Sequence, residues 1–274
     1  MTTSPPAAVP GDAPRPVAVL AFLAITLGLS WLAFLPVIVG GVSPESTAGT
    51  VLLPLVGIGS PTIAAIVVVA RVSGRKGLRA LGRGGTRWRV GIRWYAIVVL
   101  LPALAYLASL ATMGGAHDLV PGLEVWIGAT ISGLLVGALE EFGWSGFAFP
   151  ALQARYGFLR AGVAMGLIVA VWHLPLFLTP GQPQTRFGFP AFLLSLIPVR
   201  ILFGWIYNGT HASILLCVLL HASGNAWSEI LPVPAPHFTT AWAAETAVFT
   251  VAAALALLTH CGRRLDAPGG PKRA

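Results

Sequence analysis

The chain has 274 residues, 56% of them hydrophobic and 9% charged. Soluble domains carry about 25% charged residues, so this composition excludes an ordinary soluble fold. Apolar runs of about 20 residues match the roughly 30 Å hydrocarbon core of a bilayer. The net charge of +8 does not point to nucleic acid. Eight of the basic residues crowd into one stretch between apolar runs: Arg71, Arg75, Lys76, Arg79, Arg83, Arg87, Arg89 and Arg93. The positive-inside rule reads such a stretch as a cytoplasmic loop.

Residues 1–15, rich in Pro, Ala and Thr, are expected to form a disordered tail. Residues 16–262 are expected to form one membrane domain, and 263–274 a basic C-terminal tail. Eight spans are predicted. The first runs from Val17 to Gly40 and is too long for a signal-peptide core. The second, Thr50 to Ala70, is interrupted by Gly59-Ser60-Pro61 and leads into the basic loop. The third covers Trp94 to Met113, and His117 and Asp118 follow in a short loop. The fourth, Leu123 to Phe149, carries Glu140 and Glu141. The fifth, Ala161 to Leu178, contains His173. The sixth, Ala191 to Tyr207, contains Arg200. Asn208-Gly209-Thr210 reads as a tight turn, although it also matches a glycosylation sequon. The seventh span runs from His211 to Ile230 and the eighth from Thr239 to His260.

This is an all-α polytopic bundle of about eight transmembrane helices. An even count puts both termini on one side. The basic loop, the 150–160 connection and the C-terminal end carry most of the Lys and Arg, so that side is expected to be cytoplasmic. Arg outnumbers Lys, and Ala and Gly are abundant, a bias that fits a GC-rich bacterial genome and hence an inner (plasma) membrane. Cys217 and Cys261 read as small apolar fillers, and no Cys-x-x-Cys offers a thiolate zinc site. No internal repeat of the kind seen in transporters is evident.

The polar residues inside the spans carry the chemistry. A carboxylate at the centre of a membrane helix costs roughly 2.5–3.5 kcal/mol and marks a functional site by default; here there are two, side by side. At 1.5 Å per residue, Glu140 lies roughly 13 Å from Phe149, and His173 and His221 lie roughly 18 and 15 Å into their spans. All three therefore sit near the midplane. His221 and Asn225 are four apart and share a helix face. Glu140 and Glu141 are about 100° apart around their helix, so one is expected to face the cluster and the other a separate partner. Arg200, mid-span, should seek a carboxylate.

The order Glu-Glu, Trp-x-Gly-Phe, a buried His and then His-x-x-x-Asn two helices later resembles the CAAX-protease and bacteriocin-processing (CPBP, or Abi) family of intramembrane proteases. The likeness covers roughly residues 120–230. It implies an eight-helix bundle and an endopeptidase that cuts a peptide bond in a membrane-associated protein or peptide. Glu140 would activate water and His173 would help to hold it. His221 and Asn225 would stabilise the oxyanion, and Glu141 would orient its neighbours. The resemblance leaves the mechanism open between a metal-free glutamate and a zinc held by Glu140, His173 and His221. Two positions depart from the family pattern. Ser145 stands where the first motif usually has Arg, and Val169 where the second usually has an aromatic residue. Arg200 is expected to pair with Glu141 or Glu140 and replace the missing Arg. Two rival readings remain beside the protease: a non-catalytic scaffold or bacteriocin-immunity protein, and a proton-coupled transporter.

Overall fold

A backbone inside hydrocarbon must satisfy its own N–H and C=O groups, which an α-helix does within one segment. The computed structural model describes residues 16–43, 45–113, 121–179, 182, 188–230 and 233–265, and helices account for its regular structure there. In chain order they are α1 (Pro16–Ile38), α2 (Thr47–Leu52), α3 (Ser60–Gly85), α4 (Ile92–Ala111), α5 (Leu123–Gly143), α6 (Phe149–Tyr156), α7 (Phe158–Trp172), α8 (Leu174–Leu178), α9 (Phe189–Gly209), α10 (Ile214–Ile230) and α11 (Phe238–Leu265). A π-helical segment, Leu53–Ile58, joins α2 to α3, and a second, Trp144–Ala148, joins α5 to α6. The expected tail 1–15 and the loop residues His117 and Asp118 lie outside the described residues.

Among the described residues six helical stretches are each long and apolar enough to cross a membrane. A pair bent by 47° across Gly59 makes a seventh, and α10 is a shorter apolar helix. The eight expected apolar runs map onto these elements, and the all-α membrane bundle holds.

Several boundaries differ from expectation. The basic stretch is not a loop at first: α3 breaks at Gly74 (φ 55°, ψ −153°), a left-handed position that suits glycine, and a second helical part runs on through Arg83, burying Gly77, Leu81 and Gly84 at i, i+4 and i+7 while its cations stay exposed. That spacing makes the second part amphipathic. The fourth run continues through the π segment and α6 to Tyr156. The fifth breaks at His173, where Pro175 supplies no backbone N–H to continue the ladder. The turn after α9 is not at Asn208-Gly209-Thr210. Asn208 and Gly209 close the helix, and the left-handed residues are His211 (φ 56°) and Ala212 (φ 67°), so α10 starts three residues later than expected. The Asn208 amide is paired with Gln153 at 2.8 and 3.1 Å.

The closest helix pairing that matters for the site is α5 on α10. Ala129, Gly133, Gly137 and Glu141 recur every four residues on α5. Small residues at this spacing let two membrane helices approach. A Cβ on Gly133 would stand 2.6 Å from the Ala222 carbonyl oxygen, and one on Gly137 2.8 Å from that of Val218. This bare stripe brings the α10 backbone, and with it His221, onto the carboxylates one turn further along.

Gly133→Ala should therefore destabilise the bundle by about 1–3 kcal/mol, as overpacking does. Gly128→Ala, where a Cβ meets nothing within 4 Å, should leave stability unchanged or raised. Thermal melts of the two variants in the same lipid or detergent check this contrast.

Candidate active site

The site is built where α5 gives way to its π-helical continuation. In a straight α-helix Glu140 and Glu141 diverge, but their side chains here converge on the same two partners. Arg200 of α9 places Nη1 2.9 Å from Glu141 Oε1 and Nη2 3.9 Å from Glu140 Oε2. His221 of α10 places Nδ1 2.9 Å from Glu141 Oε1 and Nε2 3.8 Å from Glu140 Oε1. The expectation that one carboxylate meets a separate partner is thus corrected. A Glu side chain is long enough to turn back across 100° when a guanidinium and an imidazole stand between the pair.

The two carboxylates are used unequally. Glu141 Oε1 accepts from both Arg200 and His221, and Glu141 Oε2 accepts from the Ser145 hydroxyl. Glu140 Oε2 accepts one bond from the Trp144 indole at 3.2 Å. Among the described residues Glu140 Oε1 accepts no hydrogen bond, and the His221 ring nitrogen stands 3.8 Å from it. Ser145 therefore stands in hydrogen-bond contact with Glu141, and the cation comes from Arg200, as the mid-span position of that residue led one to expect. Arg200 is 5% exposed, Glu140 3% and Glu141 fully buried. A guanidinium and two carboxylates sum to −1, so one further proton shared in this group makes it neutral.

Arg200, His221, His173 and Asn225 line a cavity of about 470 Å³ among α4, α9, α10 and α11. Glu140 and Glu141 lie one side chain behind that wall. His173 sits at the break after α7. Its Nδ1 is 2.8 Å from the Val169 carbonyl oxygen, which only accepts, so Nδ1 carries the proton and Nε2 is left as an acceptor. Aromatic rings fix it: Trp172 and Phe192 lie edge-on with centroids 4.6 and 5.1 Å away. Trp172 in turn donates to Ser60 Oγ at 3.0 Å. Asn225 is one helical turn from His221 along the cavity wall.

Glu140, Glu141 and His221 present donor atoms all within 4.8 Å of one another, a set of the kind that holds zinc. The set differs from the expected Glu140, His173 and His221: Glu141 takes the third place, and His173 is not in the group. Arg200 already occupies the space between the carboxylates. A metal ion there would meet a guanidinium 2.9 Å from Glu141, so the arrangement as it stands is filled by a protein cation.

Sequence reading overlooked Glu245. It lies in the eighth apolar run and lines the same cavity. The cost of a carboxylate in a span, the rule that singled out Glu140 and Glu141, was sufficient to find it.

Comparison with known proteins agrees with this part of the chain. Residues 121–227 match the family described as "Type II CAAX prenyl endopeptidase Rce1-like". The curated protein "CAAX prenyl protease 2" of Methanococcus maripaludis is 31% identical over 106 residues. That alignment covers 36% of this chain and 39% of the relative, so well under half of each protein is compared. The family resemblance drawn from the motifs holds over this segment, which contains every residue of the Glu140, Glu141, Arg200 and His221 group.

Removing one partner of a buried ion pair costs about 3–5 kcal/mol, because a charge is left uncompensated. Arg200→Met should lower stability by that order. Adding Glu141→Gln to it should recover part of the loss, since one stranded charge is then gone. A double-mutant cycle on thermal or denaturant unfolding checks the recovery.

Proposed function

We propose that the chain is an intramembrane endopeptidase that hydrolyses a peptide bond in a membrane-associated protein or peptide, with Glu140 as general base. The unequal use of the two carboxylates supports this most directly. Glu141 is bound on both oxygens, whereas Glu140 keeps Oε1 free of any close donor. A base needs an open lone pair within reach of water, and Glu140 has one behind a cavity wall made by His221 and Arg200.

The substrate chain enters the cavity among α4, α9, α10 and α11. Water is held by Glu140 Oε1 and by the unprotonated Nε2 of His173. Glu140 takes a proton from that water as the oxygen attacks the carbonyl carbon. The resulting oxyanion is met by donors on the α10 face, the Asn225 amide and, with the further proton of the group on His221, the His221 Nε2–H. Arg200 Nε, buried and without a partner among the described residues, adds positive charge at the same wall. Such preorganised donors contribute most in a site closed to bulk water. Protonated Glu140 then passes its proton to the leaving amine nitrogen, and the C–N bond breaks. Glu141 holds Arg200 and His221 in place throughout. The step uses no metal ion, in line with the guanidinium between the carboxylates. The basic end of the bundle, with the Arg-rich part of α3 and the Arg155–Arg160 connection, faces the cytoplasm.

A general base contributes about 10²–10⁴-fold. In proteoliposomes with a library of membrane-anchored peptides and mass-spectrometric readout, Glu140→Gln should lower cleavage by at least about 10²-fold while the melting temperature stays near that of wild type. A strong chelator should leave wild-type cleavage intact. Loss of cleavage on chelation, restored by zinc, would replace the metal-free mechanism. No cleavage by wild type across the library would remove the protease reading.

A further inference from the structure

Besides the groups of the hydrolysis above, the cavity is lined by the polar side chains Tyr106 and Ser109 of α4, Ser228 and Glu229 of α10, and Trp242 and Glu245 of α11; Ser228 and Glu229 are exposed and already hydrogen-bonded. Tyr106 and Ser109 are three apart and share a face, and α11 packs against α4. Tyr106 is 4% exposed and Ser109 is fully buried. Among the described residues neither Tyr106 Oη nor Ser109 Oγ has a hydrogen-bond partner, a costly state for a buried hydroxyl. The Tyr106 ring stacks on Trp227 with centroids 6.3 Å apart, so the hydroxyl is held in position. Glu245 sets a carboxylate inside an apolar span, and the wall around it is aromatic and aliphatic, with Phe238, Ala241 and Phe249 beside it on α11. Two unpaired hydroxyls and a membrane carboxylate on one cavity describe a site lacking its ligand's donors.

We propose that Tyr106, Ser109 and Glu245 form a subsite for a basic side chain of the substrate, a lysine ammonium or an arginine guanidinium. Glu245 balances the charge and the two hydroxyl oxygens accept the remaining N–H groups. This rests on the endopeptidase reading for its substrate class. The cavity is then electrically polar along its length. Its Arg200 and His221 end suits a carbonyl oxygen, and its Glu245 end suits a cation, a complementarity that fixes register. The spacing follows from the helices. Trp205 Nε1 donates to Thr259 Oγ1 at 3.2 Å, which sets α9 and α11 level at that end. Arg200 is five residues from Trp205 and Glu245 fourteen from Thr259, or roughly 7 and 21 Å at 1.5 Å per residue. Tyr106 and Ser109 are twelve and fifteen residues from Trp94, whose ring packs on Trp205, so they lie roughly 18 and 22 Å along α4, near the depth of Glu245. The subsite therefore lies roughly 10–15 Å beyond the catalytic group, about three or four residues of extended peptide at 3.3–3.6 Å each.

The test uses full-length protein in lipid nanodiscs and membrane-anchored peptides that carry lysine or its uncharged isostere norleucine three or four residues from the cut. Binding is read by fluorescence anisotropy and cleavage by mass spectrometry. Wild type should prefer lysine at least tenfold. Glu245→Gln and Tyr106→Phe should each shrink that ratio several-fold, while Glu124→Gln, an exposed acid at the start of α5, should not. Thermal melts confirm that the variants fold. Lysine-selective binding that depends on Glu245, without cleavage, would uphold the subsite and remove the protease reading. Cleavage with no lysine preference, or with one that survives Glu245→Gln, would overturn the subsite and keep the protease. Binding of neither peptide by wild type would also overturn the subsite.

Discussion

A single buried guanidinium holds the centre of this molecule together. Arg200 reaches both carboxylates of the Glu140–Glu141 pair, and without it two adjacent negative charges would sit in a bundle that offers no water to screen them. The surrounding architecture serves that contact. The small-residue stripe on α5 lets α10 close in, which delivers His221 to the same oxygens. Trp144 and Ser145, each four residues on and so on the same helix face, bond Glu140 and Glu141 respectively.

The pairing also settles an asymmetry between two chemically identical groups. Glu141 has both oxygens hydrogen-bonded. Glu140 is held by one indole and keeps an oxygen open. Neighbours pull identical carboxylates into different roles in many active sites, and here the division follows from which of them Arg200, His221 and Ser145 approach more closely.

Much of this was legible in the chain. Long apolar runs give the spans, and the expense of charge in lipid picks out Glu140, Glu141 and Arg200 before any fold is known. The four-residue spacing of His221 and Asn225 puts both on one cavity wall. Other features were hidden for physical reasons. Side-chain reach, not helix angle, decides where Glu140 and Glu141 point, and helical-wheel reasoning ignores reach. The turn at His211 and Ala212 uses left-handed residues without glycine, so no sequence signal marks it, whereas Asn208-Gly209 carries the signal and stays helical. Which imidazole joins the carboxylates depends on helix packing, since α10 with His221 lies directly on α5 whereas α7, ending at His173, lies on α9, and spacing along the chain does not encode that. Glu245 was legible by the rule already in use and was passed over.

The central claim is that one buried cation neutralises the carboxylate pair and that its place of origin is interchangeable. Moving the arginine tests it directly. The double variant Ser145→Arg/Arg200→Met returns the cation to the position the family pattern uses, and its melting temperature can be compared with that of Arg200→Met alone. Recovery of most of the lost stability in the double variant is the predicted result. A double variant no more stable than Arg200→Met would contradict the claim and show that Arg200 acts through its packing in α9 and not through its charge.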